Sequence, residues 1–328
     1  MTGVRVRFKR KWVLLCAALL ICSSVFYFLT KSAGNSLSYI DLVKPSRVVK
    51  ELRSTDSDEY LHVLILSGVS NIERRQVIRD TWLSLKPRTV LHHFVIGTAS
   101  VSPTSFSVLR EEQSQHHDLL FLSETRDSFK NLTDKLLHAL VWLASHHSPR
   151  FVLKCDDDSF VRLDSLTETL QSQKSLDKLY MGFFYGAGRV KTKGKYREEN
   201  WVLCDHYLPY AFGGGYVLSF DLVQYIALNH HLFQLYNSED LSLGTWLAPL
   251  KVNRVHDPRF DTEYKSRGCF NSYIVTHKQT PSMMREKHTN LQNSGQLCSE
   301  EVRWRYSYAY NWSVLPSECC RRYDPSIP

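Results

Sequence analysis

Three consecutive carboxylates, Asp156, Asp157 and Asp158, stand at the end of a predicted buried strand that begins with the apolar residues 151–153 (FVL) and continues through Lys154 and Cys155. Like charges clustered at the end of a buried strand are unfavourable unless a cation neutralises them. Mg²⁺ and Mn²⁺ prefer carboxylate oxygens and keep coordination positions open for phosphate. The triplet therefore predicts a metal site that stabilises negative charge on a departing diphosphate. A solvated acidic turn, a helix cap on Asp158 or Ser159, and a Mg²⁺-dependent phosphohydrolase are the alternatives that the triplet leaves open.

Two further carboxylates, Glu239 and Asp240, stand at the predicted start of a helix. Acidic residues in a first helical turn complement the helix dipole, so a purely structural role would explain both. A transfer reaction onto a hydroxyl group also needs a group that removes the proton, and a positioned carboxylate can do so. We therefore predict Asp240 as the catalytic base, with Glu239 as the alternative.

Three glycines precede an apolar run at residues 210–219 (YAFGGGYVLS). Glycine permits close backbone approach and unusual dihedral angles. The pattern predicts a loop around a sugar or a diphosphate, and a plain tight turn fits it nearly as well.

Two histidines are candidates for completing a metal site formed by Asp158. His277 follows a predicted strand at residues 273–275 (YIV), and His256 begins the segment 256–260 (HDPRF). Either residue would also fit an ordinary surface or hydrogen-bonded position, so the pattern alone does not choose between them.

The elements that must position these residues alternate between strands and helices. The predicted strands lie at residues 61–66, 93–97, 119–122 and 151–153. A capping box at residues 70–73 (SNIE) opens one helix, whose apolar face consists of Ile72, Ile78, Trp82 and Leu85. A second helix has apolar residues at helical spacing: Phe129, Leu132, Leu136, Leu137, Leu140 and Leu143. This alternation predicts an α/β fold, an open and mostly parallel sheet with helices on both faces. Ligands of such sheets collect beyond the carboxyl ends of the strands, where the acidic triplet lies.

The charge distribution argues against a nucleic-acid partner. The 328-residue chain has 41 basic and 33 acidic residues, but six of the basic ones and no acidic one lie in residues 1–31. The rest of the chain therefore has a net charge of only +2. A nearly neutral domain is a poor match to the basic surface that binds a phosphate backbone.

The N-terminal region predicts a membrane anchor. Residues 12–30 (WVLLCAALLICSSVFYFLT) contain no charge, and as a helix they would span about 28 Å. Basic residues concentrate before this stretch, which predicts a cytoplasmic N-terminus and an exported chain. A cleaved signal peptide is the alternative, but the apolar stretch is long and residues 27–30 (YFLT) make a poor cleavage site. We predict a cytoplasmic tail at 1–11, a signal anchor at 12–30, a stem at 31–58 and a luminal catalytic domain at 59–328.

Two features agree with a luminal location. Asn131 and Asn311 begin sequons for N-glycosylation. Six cysteines lie beyond the predicted anchor without a CxxC pair, which favours disulfides over zinc binding: Cys155, Cys204, Cys269, Cys298, Cys319 and Cys320. Their pairing stays open at this level, and a free thiol is one expectation for Cys155, which adjoins the acidic triplet.

Together these segments resemble glycosyltransferase family 31, the β-1,3-galactosyl- and N-acetylglucosaminyltransferases. The matching stretches are residues 74–82 (RRQVIRDTW), 127–135 (DSFKNLTDK), 154–158 (KCDDD) and 213–219 (GGGYVLS), and Glu239-Asp240 with Gly244. They extend from about Leu61 to His277, and their occurrence in the right order makes the resemblance specific. It implies a GT-A fold with a Rossmann-like sheet, dependence on Mn²⁺ with Mg²⁺ as an alternative, and inversion at the anomeric carbon.

The resemblance also implies roles for individual residues. Asp158 and His277 would bind the metal, Asp156 and Asp157 would contact the nucleotide sugar, and Asp240 would be the base. Four further residues would lie near the uridine diphosphate: Arg75, Arg79, Asp127 and Lys135. For Arg79, a structural role is the alternative.

Residues 256–264 (HDPRFDTEY), 273–279 (YIVTHKQ) and Cys319-Cys320 are similar to one branch of that family. Its members transfer galactose from UDP-galactose, in β-1,3 linkage, to galactosyl-xylose on proteoglycan core proteins during assembly of the glycosaminoglycan linkage region. This implies a type II protein of the Golgi membrane that associates with other linkage-region glycosyltransferases. A sister transferase with another donor or acceptor, and a non-catalytic luminal module that binds sugar or Ca²⁺, are the alternatives.

Overall fold

The computed structural model describes residues 59–173 and 175–328. The predicted tail (1–11), signal anchor (12–30) and stem (31–58) lie outside the described residues. Within the part of the chain that is described, no helix combines the length and the apolar character needed to cross a bilayer.

The described residues form a central seven-stranded sheet with two small accessory sheets. The strands are β1 (Leu61–Leu66), β2 (Val90–Gly97), β3 (Leu119–Leu122), β4 (Phe151–Asp156), β5 (Phe160–Val161), β6 (Leu179–Tyr185), β7 (Tyr210–Ser219), β8 (Asn253–His256), β9 (Phe260–Asp261), β10 (Gly268–Cys269), β11 (Val275–Thr276) and β12 (Val302–Arg303). The central order is β3-β2-β1-β4-β7-β6-β8. All neighbours are parallel except β7, which runs antiparallel to both β4 and β6. The sheet is therefore mixed, although parallel pairs predominate as predicted.

Helices cover both faces of the central sheet, as the alternating pattern predicted. They are α1 (Ile72–Asp80), α2 (Pro103–His116), α3 (Leu132–His146), α4 (Leu163–Gln171), α5 (Phe220–Asn229), α6 (Glu239–Leu247) and α7 (Pro281–Ser294), with 3₁₀ turns at Phe129–Asn131, His230–Leu232 and Pro316–Glu318. Apolar residues of α1, α2, α4 and α7 pack in one core, and those of α3, α5 and α6 pack in the other. Successive strand residues face opposite sides, so Val63 and Ile65 enter the first core while Leu64 enters the second.

The predicted capping box at the start of α1 is not formed. Asn71, not Ser70, occupies the position before the helix, and no described side chain caps its backbone N–H groups. The Asn71 amide instead donates a hydrogen bond to Asp157, 2.8 Å away. Four residues were predicted on the apolar face of this helix. Ile78 and Trp82 are buried, whereas Ile72 and Leu85 are exposed.

The cysteines largely follow the expectation for an exported domain. Within the described residues, Cys269 pairs with Cys298, and Cys319 pairs with its neighbour Cys320. Cys155 is a buried free thiol, as expected for its place beside the acidic triplet, and Cys204 is an exposed free thiol.

A three-stranded accessory sheet brings distant parts of the chain to the end of β4. Strand β11 pairs antiparallel with β5 and parallel with β9. Since β5 begins two residues after Asp158 and β11 ends at the residue before His277, this pairing places the histidine beside the aspartate.

Candidate active site

The acidic triplet lies at the carboxyl end of β4, as predicted. Asp156 is the last residue of β4 and aligns with Leu66 at the end of β1. The backbone N–H of Asp157 continues this pairing by donating to the Leu66 carbonyl, 3.2 Å away. The strand therefore delivers three carboxylates to the edge of the sheet where ligands of α/β folds bind.

Two of these carboxylates converge on His277. The Nε2 atom of His277 lies 2.9 Å from Asp158 Oδ1 and 3.4 Å from Asp156 Oδ2. One potential ligand atom from each of the three residues lies within 4.8 Å of the others. Asp158 Oδ1 is buried, and its polar neighbour is His277 Nε2. Two carboxylates and one imidazole that converge in this way fit a hard divalent cation such as Mn²⁺.

The protonation of His277 agrees with a cation-binding position. Burial alone would lower the pKa of His277, but the contacts with Asp156 and Asp158 outweigh it and raise the pKa to about 9. The imidazolium thus supplies positive charge between the two carboxylates. A metal ligand must be the neutral imidazole, so metal binding here would release that proton.

His256, the other histidine considered, is engaged elsewhere. Its Nδ1 accepts a hydrogen bond from the Phe184 backbone N–H at 3.0 Å, and its Nε2 donates to the Tyr308 carbonyl at 2.8 Å. Burial lowers the pKa of His256 to about 4. Both ring nitrogens of His256 are bonded to backbone, so of the two histidines only His277 is placed to bind a metal together with Asp158.

Lys154 connects the triplet to the start of α6, a function that the sequence did not reveal. Its buried Nζ donates to Asp156 Oδ1 at 2.8 Å, to the Gly213 carbonyl at 2.6 Å and to Glu239 Oε1 at 2.5 Å. Burial would lower the pKa of Lys154, but the carboxylates of Asp156 and Glu239 raise it well above its usual range. Against the effect of burial, Lys154 and His277 hold the pKa of Asp156 well below its usual range.

Glu239 and Asp240 are adjacent in sequence but have different environments. Glu239 is buried and paired with Lys154. Asp240 is half-buried, and its carboxylate accepts hydrogen bonds from the backbone N–H groups of Gly213 at 3.0 Å and Leu241 at 2.8 Å. Burial, and then the charge of Glu239, raise the pKa of Asp240 to about 8. The structure therefore assigns Glu239 to the ion pair and leaves Asp240 with the properties of a proton acceptor.

The three glycines belong to β7 and do not form the predicted loop. A Cβ atom on Gly213 would lie 2.5 Å from Glu239 Oε1, and one on Gly214 would lie 2.5 Å from His277 Cγ. Glycine is needed because the Glu239 and His277 side chains both pack directly on the β7 backbone. The glycines therefore do permit a close approach, but the approaching groups are protein side chains.

A pocket of about 600 Å³ opens beside the ends of β1 and β4. Its lining includes Asp127 and Lys135, two of the residues predicted near the uridine diphosphate, together with the acidic triplet. Lys135 donates to Asp127 Oδ1 at 2.8 Å and to the Ser67 carbonyl at 2.5 Å, and Asp127 also accepts from the Val69 N–H at 3.0 Å. These contacts fix the backbone that forms the pocket wall.

Asp157 and Arg74 also line this pocket. Asp157 Oδ2 accepts hydrogen bonds from Ser67 Oγ and Asn71 Nδ2, each at 2.8 Å, and burial raises the pKa of Asp157. Arg74 Nη1 lies 3.6 Å from Asp157 and 3.9 Å from Asp158. Sequence reasoning had not assigned Arg74 a role, although it is the first residue of the RRQVIRDTW stretch.

The sequence pattern of the galactosyltransferase family matches residues 73–258. β-1,3-Galactosyltransferase 6 of Mus musculus is 45% identical over 327 residues, a match that covers 96% of this chain and 98% of that protein. The chain belongs to the galactosyltransferase family. It is therefore a glycosyltransferase.

More distant relatives cover less of this galactosyltransferase. The UDP-GalNAc:β-1,3-N-acetylgalactosaminyltransferase 2 of Xenopus laevis is 30% identical over 199 residues, which is 60% of this chain and 40% of that protein. The solved mannosyltransferase PcManGT of Pyrobaculum calidifontis, in complex with GDP-Man and Mn²⁺, is 14% identical, with a TM-score of 0.37 over 84% of this chain and 72% of that one. This structural similarity is too low to support an inference.

The galactosyltransferase holds Arg75 and Arg79 away from the pocket lining. Arg75 is fully buried and forms a bidentate ion pair with Glu112, in which Nε donates to Oε1 at 2.8 Å and Nη2 donates to Oε2 at 2.7 Å. Arg79 pairs with Glu112 at 2.7 Å and with Asp118 at 2.8 Å. The geometry thus favours the structural alternative for Arg79. Arg75 reaches the site indirectly, because its Nη1 donates to Ser67 Oγ at 3.1 Å and Ser67 in turn donates to Asp157.

The two sequons of the galactosyltransferase differ in exposure. Asn131 is half-buried in the turn before α3, and its amide donates to the Arg126 carbonyl at 3.0 Å. Asn311 is exposed, and its side-chain oxygen accepts a hydrogen bond from the Ser313 hydroxyl at 2.6 Å. Glycosylation at both positions stays a prediction.

Proposed function

We propose that this enzyme transfers galactose from UDP-galactose, in β-1,3 linkage and with inversion, to galactosyl-xylose on a proteoglycan core protein. The observation that carries the proposal is the pairing of a cation site, formed by Asp156, Asp158 and His277, with a separate high-pKa carboxylate, Asp240. End-to-end similarity to a protein named a β-1,3-galactosyltransferase supports the linkage and the donor. The stretches at 256–264 and 273–279 support the acceptor.

In this proposal, Asp158 and His277 hold Mn²⁺, or Mg²⁺ as the alternative, and Asp156 faces the same position. The metal, when bound, neutralises the charge that develops on the diphosphate as its bond to the sugar breaks. The mixed α/β sheet with its ligand pocket at the strand ends suits a GT-A fold. Asp157, Asp127 and Lys135 shape the pocket that would receive the nucleotide sugar, and Arg74 adds positive charge there.

Asp240 acts as the base in a single displacement. The 3-hydroxyl oxygen of the acceptor forms a bond to the anomeric carbon from the face opposite UDP. The bond between that carbon and the diphosphate oxygen breaks, and Asp240 takes the hydroxyl proton. The transition state resembles an oxocarbenium ion. A carboxylate with a raised pKa is a better proton acceptor than an ordinary one, which favours Asp240 over the ion-paired Glu239.

We place the enzyme in the Golgi membrane as a single-pass type II protein with its catalytic domain in the lumen. The uncharged stretch at 12–30, the basic residues before it and the two sequons support this location. The proposed substrate also implies association with the other glycosyltransferases that build the same linkage region.

A donor-by-acceptor panel tests the proposed function. Purified full-length protein in detergent is incubated with UDP-galactose or UDP-N-acetylglucosamine, with several acceptors, and with or without Mn²⁺. We expect UDP release and a β-1,3-linked product from UDP-galactose and a galactosyl-xyloside, only when Mn²⁺ is present. Product from UDP-N-acetylglucosamine alone would indicate a sister transferase, and ligand binding without UDP release would indicate a non-catalytic module.

A further inference from the structure

Three histidines converge at the end of the sheet opposite the acidic triplet. His62 is the second residue of β1, His93 lies in β2, and His147 directly follows α3. One ring nitrogen of each lies within 4.8 Å of the others, and His62 Nε2 is 2.9 Å from His93 Nδ1. His62 is fully buried and the other two are half-buried. Three imidazoles from three separate elements thus face one small volume, which we call the histidine cluster.

Glu59 orients two members of the histidine cluster. One of its carboxylate oxygens is hydrogen-bonded to His62 Nδ1, and the other lies 3.2 Å from His147 Nδ1. A carboxylate accepts, so each of these Nδ1 atoms carries its proton and each Nε2 has a lone pair. The Nε2 lone pair of His62 faces His93 Nδ1, 2.9 Å away. Metal-bound histidines are oriented in this way by a carboxylate behind them.

Trp142 covers the histidine cluster from α3. Its ring contacts those of His93 and His147 at centroid distances of 4.9 and 5.2 Å, edge-on and tilted respectively. An aromatic wall over half-buried imidazoles limits the entry of water, and so favours a directly ligated ion over a hydrated one.

We propose that His62, His93 and His147 bind Zn²⁺ at a second, structural metal site. Imidazole nitrogens suit zinc, whereas the carboxylates at the other end of the sheet suit Mn²⁺ or Mg²⁺. The ion joins β1, β2 and the end of α3, and Glu59 connects it to the segment that leads into β1. Because the cluster exists only in the folded protein, zinc binding stabilises the fold.

Metal content and thermal stability test this proposal. The full-length protein, purified in detergent without a polyhistidine tag, is stripped with chelator and titrated with Zn²⁺ in the Asp158→Ala background, which disables the other site. We expect one zinc per chain by elemental analysis and a rise in the unfolding temperature. The variants His93→Gln and His147→Gln are used because these residues are half-buried, whereas replacing the fully buried His62 threatens folding. Each should weaken zinc affinity by at least about tenfold and lose most of the stabilisation.

His146→Gln is the matched control. This exposed neighbour bonds the Trp142 carbonyl at 2.8 Å and stacks on the Trp142 ring, but it is not part of the histidine cluster. It should keep both the zinc and the stabilisation. Zinc affinity unchanged by His93→Gln and His147→Gln, or an unfolding temperature that does not respond to zinc, would overturn the proposal. Neither result depends on galactosyl transfer.

Discussion

The two halves of the active site use the same residue type in opposite ways. At the end of β4, Lys154 and His277 keep the pKa of Asp156 low, so this carboxylate stays charged and available to a cation. At the start of α6, burial raises the pKa of Asp240 to about 8, so this carboxyl holds a proton more tightly, and its ionised form is the stronger base that the proposed reaction needs. Lys154 contributes to the difference because it forms an ion pair with Asp156, whereas burial and the charge of Glu239 dominate at Asp240. In many enzymes, two carboxylates whose environments give them different pKa values have different catalytic roles.

Removing the metal-binding half should have the largest effect. Asp158→Ala should reduce galactosyl transfer by at least about 10³-fold, because the charge on the leaving diphosphate is no longer neutralised. Binding of UDP in the presence of Mn²⁺, measured by calorimetry, should weaken in parallel. The control is Asp164→Ala, which removes an exposed aspartate paired with Arg162 and should leave both quantities unchanged. Tight Mn²⁺-dependent UDP binding by Asp158→Ala would refute the assignment of this half.

Neutralising the base should separate catalysis from donor binding. Asp240→Asn should lower kcat by about 10²-fold or more while UDP binding stays close to wild type. Glu239→Gln is the comparison, since it removes a charge from the adjacent residue without removing the base, and it should retain more activity than Asp240→Asn. If Glu239→Gln were the more damaging of the two for kcat, in variants of equal stability, the roles of these neighbours would have to be exchanged.

Removing Lys154, which pairs with both Asp156 and Glu239, should lower the free energy of unfolding. Lys154→Met leaves the carboxylates of Asp156 and Glu239 without their shared cation, which should cost about 3–5 kcal/mol of unfolding free energy. Denaturant titration measures this loss. Adding Glu239→Gln to the variant should restore part of the stability, because one unpaired charge is then removed. Equal stability of wild type and Lys154→Met would show that the ion pairs contribute little.

The smallest expected effect is a pH-dependent gain in stability. Because the folded-state pKa of Asp240 is about 8 and the ordinary aspartate value is about 3.9, the folded protein binds this proton more tightly than the unfolded chain. The resulting stability is fully present below pH ~4 and is lost as the pH rises to ~8. Asp240→Asn cannot lose a proton, so its unfolding free energy relative to that of wild type should be higher at pH 8 than at pH 5. A pH-independent difference would contradict the raised pKa.

The sequence predicted the parts of this site that depend on local pattern. The apolar residues 151–153, with the aspartates that follow shortly after them, predict a strand ending in a carboxylate cluster, and the structure has this arrangement. The direction of β7 was not predictable, because an apolar run has the same pattern in either direction. Its glycines were assigned to a loop because their close contacts come from His277 and Glu239, which are distant in sequence.

The positions of Arg74, Arg75 and Arg79 relative to the pocket were also not predictable from the sequence alone. Arg75 and Arg79 are four residues apart and share one face of α1, and that face packs on Glu112 and Asp118. The adjacent Arg74 therefore points elsewhere and lines the pocket. Helical spacing predicts which residues share a face, but the tertiary packing decides which face meets the ligand.

A crystal structure of the enzyme with Mn²⁺ and UDP, with the manganese located by its anomalous scattering, would test the metal site and the donor pocket together. We expect one manganese peak within bonding distance of Asp158 and His277, with UDP in the pocket beside Asp157 and Asp127. We also expect that Asp240 makes no contact with the metal. Manganese and UDP bound elsewhere, with His277 still paired only to the carboxylates, would contradict this expectation.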